Sequence, residues 1–163
     1  MPDDPIDALI EQWRAARPDI DPAPMALVGR LLRVARATDR AVGETLAAHA
    51  LQPGWFDVLS ALRRAGEKLT PGALASTVML STGGMTKRLD QMEGAGLLAR
   101  SPDPSDRRGL LIALTPKGRR VVDRVVEAHV SNEERILSGL SAAERRRLDL
   151  LLRKLEAGIA AAR

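Results

Sequence analysis

The 163-residue chain contains no cysteine. That absence excludes disulfides, a thiolate nucleophile, thiol-based redox sensing and cysteine-ligated zinc together. Histidine is almost missing too: His49 and His129 lie far apart with no ligand cluster near either, so both read as ordinary helix positions and no metal site is expected. No apolar run approaches the ~20 residues that span a bilayer. The acidic start Met1-Pro2-Asp3-Asp4 is not a cationic signal-peptide beginning, so no membrane partner is expected and the cytoplasm is the default compartment. A Gly-x-Ser-x-Gly elbow, a phosphate-cradling glycine loop and metal-ligand spacings are all lacking, which argues against an enzyme and against a cofactor.

What is present is the composition of a folded protein, 45% apolar and 28% charged, with Gly and Pro falling mainly between periodic stretches. The length suits one compact domain, or a small domain with dimerisation arms. The formal net charge is only +4, but arginine dominates the cations and the pI is about 10.3, which fits a polyanionic partner.

Residues 1–24 read as a short helix and a stiff connector: Asp4 caps, Pro5 suits the first helical position, Ile6, Leu9, Ile10 and Trp13 recur at helical spacing, and Pro18, Pro22 and Pro24 stop it. Residues 25–50 read as a dimerisation helix from about Met25 to Ala48. Its two adjoining apolar stripes, Leu27, Leu31, Val34 and Val28, Leu32, Ala35, suggest contact with two surfaces. Residues 51–115 hold a core helix from Pro53 to Gly66, a short helix opened by Thr70-Pro71, and a helix capped by Ser81 with Met85, Leu89 and Met92 on its inner side. Two strands follow, Leu97–Arg100 and Leu110–Leu114, around a charged tip of residues 102–109. Residues 116–163 hold a helix capped by Thr115-Pro116 and another opened by the capping box Ser141-Ala142-Ala143-Glu144. Neither has an obvious partner within the hairpin unit, so with the first long helix they are expected to form a dimerisation layer. An intrachain bundle is the alternative.

The fold class expected is therefore mainly α with a small β-hairpin wing: a winged helix-turn-helix with N- and C-terminal dimerisation helices. On that plan Thr82, Gly83, Thr86 and Lys87 fall near the start of a recognition helix, where bases are touched, and Ser81 with the free N–H groups of the first turn suits a phosphate oxygen. Read singly, Ser81 is an ordinary cap and Gly83-Gly84 an ordinary loop element. At the hairpin tip, Arg107 and Arg108 follow Asp103 and Asp106, so one arginine can project toward the negative potential of a minor groove. A solvated charged turn is the plain alternative.

With these parts in place the sequence, from about Met25 to the end, resembles the multiple antibiotic resistance regulator (MarR) family. The resemblance is carried by Phe56-Asp57-Val58-Leu59, Leu69-Thr70-Pro71, Gly84-Met85-Thr86-Lys87-Arg88-Leu89-Asp90, Gly96-Leu97-Leu98, Asp103-Pro104-Ser105-Asp106-Arg107-Arg108 and Leu114-Thr115-Pro116-Lys117-Gly118. It implies a homodimer on a palindromic double-stranded DNA operator, usually repressing and released by a small anionic or phenolic ligand. Ala73 departs from the acid usual at its position. The placement of Trp13, Asp57, Arg88 and Arg100 is similar to the ligand-responsive set of urate-binding members, which implies a small planar anion, urate-like or phenolic, as a further partner. Trp13 as a staple and Asp57 with Arg88 as a structural salt bridge is the alternative. A winged-helix protein-interaction module without specific DNA binding remains the rival function.

Overall fold

The computed structural model describes residues 4–78 and 84–162, less the side chains of Arg107 and Arg108. Its elements, in chain order, are α1 (Pro5–Ala16), α2 (Ala23–Ala48), α3 (Pro53–Ala65), α4 (Pro71–Thr77), α5 (Met85–Gly94), β1 (Leu98–Asp103), β2 (Asp106–Leu114), α6 (Pro116–Ile136) and α7 (Ala142–Ala161). The chain divides into two compact units, Met1–Ala41 and Val42–Arg163.

In the first unit α1 starts as its sequence dictates. Asp4 accepts from the Ile6 N–H and Pro5 occupies the first helical position, where its missing donor is harmless. Helix α2 begins two residues before the expected Met25, because a proline is tolerated within a first turn and the Asp21 carboxylate accepts from the Ala23 N–H at 3.0 Å. Ile10 is buried, Ile6 lies over Gly29, and Asp4 and Asp7 engage Arg30 while Asp4 also pairs with Arg33 at 2.7 Å. The bond from Arg33 and that from the Ile6 N–H lower the Asp4 pKa to about 2. A lowered carboxylate pKa supports the docking of α1 fully above the unfolded value near 3.8 and withdraws it as pH falls toward about 2. In a Trp55→Phe background, Trp13 fluorescence should therefore differ between wild type and Asp4→Asn at neutral pH. The difference should vanish on acidification through that window; a difference that persisted to pH about 2 would exclude the ion pairs as its source.

The second unit is organised by α3. Val58, Leu59, Ala61 and Leu62 are buried along it, joined by Leu46 from the end of α2, Leu74, Leu89, Met92, Leu98 and Ile112. Gly66 closes α3 in the left-handed region (φ 72°), accepting a conformation that a side chain resists. The strands pair antiparallel, Leu98 opposite Leu114 and Arg100 opposite Ile112, and Leu69 adds a bridge to Ile112 through two hydrogen bonds of 3.0 and 2.8 Å.

Three expectations are corrected. The strands run farther toward the tip than hydropathy marked, leaving a turn at Pro104-Ser105 and placing Arg107 and Arg108 on β2. A solvated two-stranded ribbon is held by main-chain pairing and needs no apolar pattern there. Helix α6 does have a partner in the winged unit: Val122 and Val125 are fully buried in the α3 core. Only its other face stays open, with Val126 and Val130 exposed. Finally, the described start of α5 has Gly84 as its N-cap, with φ 97° and no side-chain cap, where Ser81 was expected. Consecutive glycines favour a break at that point. Ser81, Thr82 and Gly83 lie outside the described residues.

Candidate nucleic-acid interface

Helix α4 is short and held by one deeply buried residue, Leu74. Thr70 caps it by accepting from the Ala73 N–H at 3.1 Å, so the cap forms without the reciprocal acid that Ala73 replaces. Helix α5 follows with Met85, Leu89 and Met92 buried against the core, as their i, i+4, i+7 spacing requires. That orientation leaves Thr86 and Lys87 exposed together on the opposite side. Lys87 pairs with no carboxylate among the described residues, so its charge is available to an external anion.

The wing is fastened to this helix by Arg100 on β1. Its Nη1 donates to Asp90 at 2.7 Å and to Glu93 at 2.9 Å, both on α5, and the Arg100 N–H donates to the same Glu93 carboxylate. One half-buried guanidinium thus sets the hairpin against the helix; the Asp-x-x-Glu spacing puts both acids on one face of α5 but does not name their partner. At the tip, Asp103 accepts from the N–H and the hydroxyl of Ser105 at 2.8 and 2.7 Å, which lowers its pKa and commits the acid to shaping the turn. The side chains of Arg107 and Arg108 lie outside the described residues; their backbone sits in β2 beside that turn.

Of the other four residues singled out in the sequence, three lie in the second unit, Asp57, Arg88 and Arg100, and Arg100 is not drawn to the other two. Trp13 is half exposed on α1, in the first unit. Arg100 is engaged by Asp90 and Glu93. Asp57 and Arg88 do face one another electrostatically, but among the described residues they close no ion pair. Burial raises the Asp57 pKa, and the charges of Arg88, His129 and Arg64 only partly offset this. Near Asp57, α3 and α6 line an open cleft of about 210 Å³ formed by Phe56, Ser60, Arg63, Arg64, Val122, Val126 and His129. Ser60 Oγ and His129 Nδ1 are buried and have no hydrogen-bond partner among the described residues. The His129 ring lies 4.6 Å from that of Phe56. Nothing in the periodicity of α3 or α6 foretold this cleft, because both polar residues occupy positions that a helical pattern fills indifferently.

A short helix, a recognition-type helix with an exposed polar face and a paired hairpin clamped to it define a winged helix-turn-helix DNA-binding protein. The family model described as "MarR family" matches residues 50–109, and the chain is 39% identical over 153 residues to the HTH-type transcriptional regulator PecS of Dickeya dadantii (strain 3937), covering 93% of this chain and 92% of that one. The chain belongs to the MarR family. Among solved structures, a mutant MarR from E. coli complexed with operator DNA has a TM-score of 0.72 at 28% identity, over 82% of this chain and 96% of that one. Bordetella bronchiseptica BpsR, described with regulation of its DNA binding by 6-hydroxynicotinic acid, has a TM-score of 0.71 at 31% identity, over 79% and 92%. A further curated relative, from Bacillus subtilis (strain 168), is likewise described as an HTH-type transcriptional regulator, MhqR, at 27% identity over 70% of this chain and 78% of that one. Among the described residues no helix is long and apolar enough to cross a membrane.

Proposed function

We propose that the chain is a cytoplasmic homodimeric repressor that acts without catalysis or cofactor, binding a palindromic operator through residues 51–115. The observation that carries this reading is the exposed pair Thr86 and Lys87 on α5, held in fixed relation to the wing by Arg100. Thr86 and Lys87 read bases. Thr82 and Gly83 are assigned to the same base-touching end, Ser81 to a phosphate oxygen, and Arg107 and Arg108 act from the wing. Residues 25–50 and 116–163 pair two copies, and residues 1–24 supply an N-terminal helix and connector. Support comes from α7, none of whose 20 residues is buried, and from the exposed Leu27, Val28 and Leu32 of α2. Apolar surface of that extent on two helices calls for a second copy.

Release by a small planar anion, urate-like or phenolic, belongs to the same proposal, as the BpsR comparison suggests by analogy. Trp13, Asp57, Arg88 and Arg100 are its assigned residues. The α3/α6 cleft favours a seat near Asp57, where an apolar wall and two unpartnered polar atoms suit a ring bearing a donor and an acceptor. Arg100 would join only by leaving its carboxylates.

One set of binding assays tests the whole. Operator fragments selected from the source genome are bound by wild type, Thr86→Ala and Lys87→Ala, with urate and salicylate then added. The two substitutions should change base preference at a few positions by about 1–3 kcal/mol each. An equal loss on every sequence would remove α5 from base reading, and a lack of salt-sensitive affinity even for random DNA would favour the protein-interaction module. Release by the anions should be blunted in Trp13→Phe and Arg88→Ala; undiminished release in both would place the ligand elsewhere.

A further inference from the structure

The first turn of α3 is chemically bare. Gln52 at its N-cap makes no side-chain bond, Pro53 has no N–H to give, and no acid stands in the turn. The next residue is Gly54, and what lies over it is the guanidinium of Arg88 from α5. A Cβ at position 54 would stand 2.9 Å from Arg88 Nε and 3.1 Å from both Cζ and Nη2. Among the described residues no other side chain approaches that position so closely. Arg88 Nη1 is meanwhile buried and has no hydrogen-bond partner among the described residues, and Asp57, whose charge it favours, closes no ion pair with it. A cation laid on a helix N-terminus gains nothing from the helix dipole, which is positive there. Geometry, then, holds the guanidinium in this place: the missing side chain of Gly54 opens a shallow seat that fits it.

We infer that Gly54 is a positioning residue for DNA recognition, acting through Arg88. Gly54 is helical and needs no left-handed conformation, so glycine is not required there for backbone reasons. An alanine would in fact suit the helix better. Its role is to admit Arg88, which is flanked on α5 by Lys87 and the core residue Leu89 and so ties the rotation of α5 to α3. With the seat filled, the guanidinium swings into solvent near the DNA-facing end of α5. The exposed Thr86 and Lys87 lose their fixed orientation, and a loose cation is added that any phosphate attracts. Specific binding therefore weakens while non-specific binding holds or rises. The inference rests on α5 being the recognition helix.

The test compares wild type, Gly54→Ala, Arg88→Met and the double variant, each bound to an operator fragment and to random DNA of equal length at one salt concentration. Gly54→Ala should keep the wild-type melting temperature or raise it slightly, and should lower the operator-to-random affinity ratio by about fivefold or more. On the Arg88→Met background the same substitution should change the ratio by less than about twofold, since the group it displaces is gone. Gly54→Ser, a second filling of the seat, guards against a single variant that folds poorly. An unchanged ratio in both fillings, or an equal drop with and without Arg88, overturns the inference. Failure of wild type to prefer any operator would instead strike the proposed function itself, and so the two failures are told apart.

Discussion

Gly118→Ala should destabilise the protein by about 3 kcal/mol or more, at the upper end of what overpacking a core costs. Within a helix, glycine to alanine ordinarily gains up to ~1 kcal/mol, so two effects of opposite sign compete. The geometry decides between them. A Cβ on Gly118 would stand 2.0 Å from the Leu97 carbonyl oxygen and 3.0 Å from its carbon. That oxygen belongs to a backbone fixed from three sides. It accepts from the Thr115 N–H at 3.1 Å and from Thr115 Oγ1 at 3.2 Å, and the same hydroxyl bonds the Gly96 carbonyl and caps α6 through the Gly118 N–H. No rotamer change relieves such a contact, in contrast to Gly54, whose neighbour is the free end of an arginine. Relief requires α6 to lift off the start of β1, drawing Val122 and Leu97 out of the core. Urea unfolding at fixed protein concentration should show a lower midpoint with an unchanged slope, and heating a melting temperature lower by roughly 6–12 °C. A midpoint equal to wild type would mean that the Leu97 carbonyl and α6 do not meet in solution.

This contact also marks a limit of reading from sequence. Thr115-Pro116 announced the start of α6, and the cap is where it was expected. Gly118 carried no local signal of its own, because its purpose is the Leu97 carbonyl, just before β1 and 21 positions earlier in the chain. The same division runs through the fold. Caps and apolar periods are local, so Asp4, Thr70 and Ser141 and the inward set Met85, Leu89, Met92 were legible one by one. The extent of the wing strands was not, since main-chain pairing leaves no trace in hydropathy. Nor was the union of α6 with α3, where valines that suit a dimer layer serve the domain's own core.

Among the site residues, exposure of Thr86 and Lys87 follows from the helical period alone, once the core side of α5 is known. Arg100 is different. From the sequence it is one more cation near a wing; only the fold reveals that Asp90 and Glu93, one turn apart on α5, are both within reach of its guanidinium. The Arg88 seat is hidden twice over, because the informative feature is an absent side chain on another helix. Residues whose partners are distant in sequence are thus the ones that sequence reading assigned loosely, and in this chain they are the arginines.

The second large effect concerns the wing arginines. Arg107→Ala and Arg108→Ala together should weaken operator binding by roughly tenfold to a hundredfold, as expected when one or two charge-assisted bonds to DNA disappear. The turn beside them is shaped by Asp103 and Ser105, and the ribbon is paired by main-chain bonds, so the melting temperature should not move. What should move is the salt dependence. Every phosphate that is no longer neutralised takes about 0.9 off the slope of log affinity against log salt, so two of them flatten it by about two. If one arginine instead enters the minor groove, the slope flattens by only about one, and the preference for A·T pairs at the flanks of the site, where the groove is narrow and its potential most negative, disappears with it. Titrations at several salt concentrations, on fragments with A·T-rich and G·C-rich flanks, separate these two outcomes. Unchanged affinity and an unchanged slope in the double variant would leave the hairpin as a structural appendage and throw the whole of DNA recognition onto α5.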